Sequence, residues 1–272
     1  PQYGSKLKKV KREGIELVIA LDVSNSMMAE DIQPNRLERS KMAISRLVDK
    51  LKDDKIGLIV FAGDAYTQLP ITTDYNSAKL FLNSVNTQIV PKQGTAIGAA
   101  IGLAMRSFTP DSKANKAIIV ITDGENHEDD AVAAAKSAVE NGMVVHTIGM
   151  GLPQGSPIPV LRNGAKEYLK DNAGNVVITK LDETKLEQIA AAGEGVYVRA
   201  NNAQVGLNSL FDEINKLDKT ELESLVYSDY EDQFQYFFAI AMILILLEFF
   251  ILERKNRYLK NIKLFSVKDI KQ

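Results

Sequence analysis

Apolar runs of about one strand's length recur along the chain, with helically spaced apolar positions between them. Ile15–Leu21, Lys55–Phe61, Ala117–Thr122 and Val144–Ile148 have the length and bounding of strands buried on both faces. Leu37, Ala43, Ile44, Leu47, Val48 and Leu51 recur at helical spacing. They predict a helix to about Lys52, opened by the capping box Asn35-Arg36-Leu37-Glu38 with Asn35 as cap and Glu38 at N3. Thr73-Asp74 starts a helix through Leu80, Phe81 and Leu82, and Gly94-Thr95-Ala96-Ile97-Gly98 introduces another, carried by Ile97, Ile101, Ala104 and Met105. An alanine-rich helix follows from Ala131 to Val139. Asp182 caps one through Leu186, Ile189 and Ala190 that ends at Gly193 or Gly195. Tyr66–Ile71 reads as a short strand that Pro70 confines to an edge. With no helix before it, that strand is antiparallel to its predecessor. Tyr197-Val198 is the final strand, and Leu207 to Leu217 the last helix of the domain. The expected class is α/β, a doubly wound, mostly parallel sheet with one antiparallel edge strand.

Two segments break the alternation. Residues 152–181 carry Pro153, Pro157 and Pro159, and the turn Asp171-Asn172-Ala173-Gly174-Asn175 lies between Glu167-Tyr168-Leu169 and Val176-Val177-Ile178. They predict a β-hairpin inserted into the sheet domain. Residues 234–252 are apolar nearly throughout, interrupted by Gln235 and Glu248, and as a helix would be roughly 28 Å long at about 1.5 Å per residue. Apolar character around the whole circumference predicts a C-terminal transmembrane helix rather than a core helix. Glu248 either snorkels toward the headgroups or marks a helix–helix contact in the membrane.

Charge adds an orientation. Asp218, Glu221, Glu223, Asp229, Glu231 and Asp232 precede the span, whereas Arg254, Lys255, Arg257, Lys260 and Lys263 follow it. By the positive-inside rule the tail 253–272 is cytoplasmic and the large domain lies on the outer side. The expected layout is a basic lead-in over 1–14, a sheet domain over 15–218 and an acidic juxtamembrane linker over 219–233, then the span and the tail. Because the chain starts at Pro1, an upstream piece is expected before the lead-in. A net charge of −2 and the lack of a long basic patch argue against nucleic-acid binding. With no cysteine there is no disulfide framework, thiolate zinc site or cysteine nucleophile.

The candidate chemistry sits where strands end. Asp22, Ser24 and Ser26 follow the first apolar run, and a carboxylate and two hydroxyls at alternate positions can turn toward one point above a sheet. Such oxygen donors suit Mg²⁺, Mn²⁺ or Ca²⁺, although Asp-x-Ser-x-Ser by itself also fits an ordinary helix cap. If the strands are parallel, Asp123 and the loop residue Thr95 reach the same edge. Two carboxylates, three hydroxyls and waters then fit a six-coordinate Mg²⁺. Such a cation, surrounded by few protein charges, stays electrophilic and can accept a carboxylate from another molecule.

Asp22, Ser24, Ser26, Thr95 and Asp123 resemble the metal-ion-dependent adhesion site of the von Willebrand factor A (VWA) domain, over roughly residues 15 to 218. The wording around them extends the likeness: Ala20–Met27, Pro34–Glu38, Val60–Gly63 and Thr122-Asp123-Gly124-Glu125-Asn126-His127. With the C-terminal span, the chain resembles the bacterial aerotolerance-associated Bat membrane proteins, of the BatB type. The resemblance implies two upstream membrane helices, a periplasmic VWA domain in the inner membrane, sibling Bat proteins as partners, and a cytoplasmic MoxR-type AAA+ ATPase.

Enzymatic readings have less support. A haloacid dehalogenase-type phosphatase needs Asp-x-Asp, but position 24 is Ser. No P-loop lysine motif or Gly-x-Ser-x-Gly elbow occurs. His146 reads as a core residue, and His127, Glu125 and Asp64 as solvated loop groups near the same edge. The chain is therefore expected to be a membrane-anchored, cation-dependent protein-binding module and not an enzyme, its ligand supplying an acidic residue to the metal. Two alternatives stay open: a scaffold subunit assembled through the membrane with a purely structural metal, and a metal-dependent hydrolase.

Overall fold

The structure, a computed structural model, describes residues 7–125, 129–162, 165–200, 220–227 and 234–250. Residues 11–224 form one compact unit, and residues 1–10 with 225–272 form another. The first is built on a six-stranded sheet. Its strands are β2 (Glu16–Asp22), β3 (Lys55–Phe61), β4 (Ala65–Thr72), β5 (Lys116–Thr122), β6 (Met143–Met150) and β11 (Glu194–Ala200), in spatial order β11-β6-β5-β2-β3-β4. All neighbours are parallel except β3 and β4, which pair antiparallel, as the missing helix between them requires.

The pleat divides the core. Leu17, Ile19 and Leu21 of β2 face α1 (Arg36–Lys50) and α2 (Tyr75–Ser84), packing with Ile44, Leu47, Val48 and Leu82. Val18 and Ala20 face the other way and join α3 (Ile97–Ser107), α4 (Ala131–Glu140) and α5 (Glu183–Ala192) through Ile97, Ala135 and Leu186. A strand covered by helices on both faces must be apolar at consecutive positions, and this explains the unbroken run seen in the sequence. The caps also form as the sequence expects. Asn35 Oδ1 accepts from Glu38 N at 2.8 Å, and Asp74 and Asp182 accept from the first-turn amides of α2 and α5.

The insertion at 152–181 differs in detail from the expected hairpin. Its longest ladder pairs β8 (Pro159–Arg162) with β9 (Ala165–Tyr168), and β7 (Ser156–Pro157) pairs with β10 (Ile178–Thr179). Around the turn 171–175 the pairing shrinks to a single bridge, Lys170 with Val176, flanked by Val177 N to Leu169 O. Asp171 Oδ1 captures the amides of Ala173 and Asn175, closing the turn on itself and drawing those groups away from a ladder.

Two strands were not legible at all. β1 (Leu7–Gly14) lies in the expected lead-in and β12 (Thr220–Tyr227) in the expected acidic linker, and the two pair as a separate sheet. Neither has clear period-two patterning, so each depends on a partner more than 200 residues away in sequence. The expected helix at 207–217 and the tail at 253–272 lie outside the described residues. The expected span at 234–252 is represented by α6 (Phe234–Phe250), a helix of 17 residues, with Ile251 and Leu252 outside the described residues. Among the described residues, no helix is long and apolar enough to cross a membrane. Within α6, Phe238, Ile240 and Ile243 to Leu247 are exposed.

At the amino end of β2, opposite the site, the buried Glu16 carboxylate holds the sheet to its surroundings. Its Oε1 accepts from Lys55 Nζ at 3.1 Å, and its Oε2 accepts from Thr109 N at 3.1 Å. Burial raises its pKa, but the bonds from Thr109 and Lys55 outweigh that and hold it below the usual carboxylate value of 4.5. A depressed carboxylate contributes stability that is present above the unfolded pKa and lost as pH falls through the folded one. Glu16→Gln should therefore destabilise the fold at neutral pH by about 1–3 kcal/mol in denaturant unfolding. The gap from the native chain should narrow as pH falls below 4.5. A gap independent of pH would mean that the charge of Glu16 plays no part.

Candidate metal centre

The chain runs from β2 outward through β3 and β4, then returns past β2 to lay β5 on its other side. The strand order therefore reverses between β2 and β5, and the carboxyl ends of strands at such a switch point are the usual ligand position in open α/β sheets. The parallel register sets Leu21 beside Ile121, so Asp22 at the end of β2 meets Thr122 and Asp123 at the end of β5.

Asp22 and Asp123 are fully buried. Asp22 Oδ1 accepts from Ser24 N at 2.8 Å, and its Oδ2 accepts from the Thr122 hydroxyl at 2.5 Å. Ser24 Oγ and Ser26 Oγ lie 2.9 Å apart, the second in a 3-10 turn over Asn25–Met28. Burial and the nearby Asp123 charge push Asp22 up to about 7, against the lowering effect of its Thr122 and Ser24 hydrogen bonds. Its hydrogen-bond donors are neutral, and two buried carboxylates in mutual repulsion call for a positive charge near Asp22.

Thr95 is buried in the loop that leads to α3. That loop is tied to the same edge: Gln93 Oε1 accepts from Asn25 N at 3.0 Å, and Ala96 N donates to Ala62 O at 2.7 Å, one residue beyond Phe61, the register partner of Asp22. Asp22 and Asp123 thus share the carboxyl edge of the sheet, and the loops that carry Ser24, Ser26 and Thr95 are tied to that edge. Their oxygens are hard donors, suited to Mg²⁺, Mn²⁺ or Ca²⁺. Among the described residues, no three His, Cys, Asp or Glu side chains gather as a metal cluster, so a cation here would rely on hydroxyls and waters beside the two carboxylates.

Of the other candidates, Glu125 is half-buried, its Oε1 accepting from Lys180 N at 2.7 Å, and burial raises its pKa despite that bond. Asp64 is exposed in the β3–β4 turn. His146 is buried in β6, where its Nδ1 accepts from Val196 N at 3.1 Å, and His127 lies outside the described residues. A cavity of about 420 Å³ opens beside Glu125, between Pro153 and Lys180 of the insertion and the start of α5.

Sequence reasoning missed Arg36. It starts α1, is fully buried, and donates through Nη1 to Asp123 Oδ2 at 2.8 Å and through Nε and Nη2 to both oxygens of Asp31 at 2.8 and 2.7 Å. The available signal was its place in the buried row with Leu37, Ser40 and Ile44, where an arginine requires acidic partners.

A family model described as the von Willebrand factor type A domain matches residues 17–125. The solved structure of BatB, a conserved hypothetical protein from Bacteroides thetaiotaomicron, is 56% identical, with a TM-score of 0.73 over 75% of this chain and 98% of that one. An aerotolerance-related membrane protein from Bacteroides fragilis is 55% identical, with a TM-score of 0.72 over 75% of this chain and 100% of the other. A Borreliella burgdorferi protein of no described function is 26% identical over 240 residues, 87% of this chain and 68% of its own. The chain spans 56% of a longer Mycobacterium ulcerans relative. More distantly, at 18% identity and a TM-score of 0.55 over 80% of this chain and 50% of that one, a mussel byssus matrix protein with a zinc-occupied MIDAS motif shares the fold. The chain belongs to the Bat family of VWA-domain proteins.

Proposed function

We propose that this protein is a membrane-anchored, divalent-cation-dependent protein-binding module of the bacterial cell envelope. The observation that carries the reading is the buried pair Asp22 and Asp123 at the strand switch point, with the Ser24 and Ser26 hydroxyls paired beside Asp22 and Thr95 buried in a loop tied to the same edge. Asp22, Ser24, Ser26, Thr95 and Asp123 would hold the cation, with Mg²⁺ the first choice for an all-oxygen set. Bound there, the cation supplies an electrophilic point that accepts an acidic side chain of a protein partner. The surrounding residues keep the donors in place: Thr122 orients Asp22, and the Ser24 amide orients its second oxygen. The zinc reported in the mussel protein's motif supports a divalent ion at the equivalent place in this fold.

Anchoring rests on the apolar stretch 234–252, on the exposed apolar side chains of α6, and on the description of the Bacteroides fragilis relative as a membrane protein. The basic tail at 253–272 supports an inner-membrane orientation with the VWA domain periplasmic. Family membership supports sibling Bat proteins and a MoxR-type ATPase as partners, and an aerotolerance or stress role. The domain class favours binding over turnover.

Three outcomes test this reading. Mg²⁺ titrated into the full chain in detergent should bind by calorimetry and stabilise it, by about 2.7 kcal/mol at a hundred times the Kd. Asp22→Ala and Ser24→Ala should lose both effects, and equal binding by Asp22→Ala would remove the cation from this site. In pull-downs from solubilised membranes, a protein partner should be retained in Mg²⁺ and lost in EDTA or with Ser24→Ala. Retention under all three conditions would move recognition to the insertion or to the apolar stretch. The full chain should also float with phospholipid vesicles while a chain ending at Gln233 stays behind, and co-flotation of the shortened chain would sink the anchoring claim.

A further inference from the structure

Arg36 uses its whole donor fork in the protein interior. Nε and Nη2 hold Asp31 through both oxygens, Nη1 reaches Asp123 Oδ2 at 2.8 Å and Thr179 Oγ1 at 2.9 Å, and Nη2 also lies 3.3 Å from Thr179 O. The Thr179 hydroxyl, accepting from Arg36, donates in turn to Asp123 Oδ2 at 3.1 Å. Thr179 belongs to the returning stem of the insertion, and Asp31 holds the outgoing stem, because its Oδ2 accepts from Leu152 N at 2.8 Å. The stems meet at Leu181 N and Leu152 O, 3.3 Å apart.

The backbone is shaped around this contact. Gly151 has φ +132°, and a Cβ there would lie 2.8 Å from the guanidinium, so only glycine lets the outgoing stem lie against Arg36. A lysine could not substitute, since a single ammonium cannot serve Asp31 bidentately and also reach Asp123 and Thr179. A buried arginine with two buried carboxylates costs several kcal/mol in desolvation per ion. A simpler way to close an insertion onto a sheet would be apolar packing.

We propose that Arg36 is a positioning residue that ties the metal-site carboxylate Asp123 to both stems of the 152–181 insertion, so that the site and this arm respond as one unit. The inference rests on the cation-site reading for its consequence, but its core, the dependence of the arm on Asp123, is independent of any cation. A cation drawing on Asp123 competes with the Nη1 and Thr179 bonds to Oδ2, and the stems feel that change. By reciprocity, a partner that grips the arm alters the cation affinity by the same factor as the cation alters the grip. The arm presents exposed Tyr168, Val176 and Ile178, which gives a protein partner apolar contact on the same element.

Hydrogen exchange of the full chain in detergent tests this, read at the Leu152 amide, which connects to Asp123 through Asp31 and Arg36. Without added cation, Asp123→Asn and Thr179→Val should each speed Leu152 exchange by about tenfold while leaving the Ile119 amide in central strand β5 within about twofold. Ser26→Ala, which alters the hydroxyl pair but not Arg36 or the arm, should leave Leu152 unchanged. Wild-type Leu152 exchange should shift on adding Mg²⁺, and Thr179→Val should lose that shift while still binding Mg²⁺ by calorimetry. An unchanged Leu152 rate in both Asp123→Asn and Thr179→Val overturns the proposal, as does an equal rise at Leu152 and Ile119, which would mean general destabilisation. Raised Leu152 rates together with no Mg²⁺ binding in the wild type would uphold the Arg36 linkage and overturn the cation reading.

Discussion

The repulsion between Asp22 and Asp123 is the constraint around which the site end of this domain is arranged. Two carboxylates fully removed from water at adjacent strand ends are unfavourable unless each is compensated. The compensation is unequal. Asp123 has a guanidinium and a hydroxyl on one oxygen, whereas the donors to Asp22 are an amide and a hydroxyl, and its proton affinity rises accordingly. The shortfall in positive charge is therefore concentrated at Asp22, beside the Ser24 and Ser26 hydroxyls.

The sheet makes that arrangement possible. Parallel strands in register bring successive carboxyl ends to one edge, and the strand order reverses between β2 and β5, the position where open α/β sheets bind ligands. The strand faces supply the rigidity. With apolar side chains packed on helices at both faces of β2, the end of the strand has little freedom to move, and Asp22 inherits that fixity. Glu16 anchors the opposite end of the same strand to Lys55 and Thr109.

Arg36 connects this rigid edge to the most irregular part of the domain. The insertion has short two- and four-residue ladders and prolines at 153, 157 and 159, so its own pairing contributes little to holding it in place. Its stems are instead held by charged hydrogen bonds that converge on one guanidinium. This places a potential recognition element under the influence of the same carboxylate that would face a cation.

Much of this protein is determined by sequence pattern alone. The apolar runs at 15–21, 55–61 and 117–122, the helical rows between them and the caps at Asn35, Asp74 and Asp182 are local signals, because burial on both faces and first-turn amides each leave a short-range mark. That Asp22 and Asp123 reach one edge was legible because strand ends in a parallel sheet share an edge whatever the loop lengths. The role of Arg36 was not, since it depends on Asp31, Asp123 and Thr179, up to 143 positions apart, meeting in three dimensions. The pairing of β1 with β12 was hidden for the same reason, whereas the β8–β9 ladder is local but joins four-residue strands too short to show a period. Strand pairing of weakly patterned segments is set by the partner that tertiary folding delivers and leaves no period in the chain.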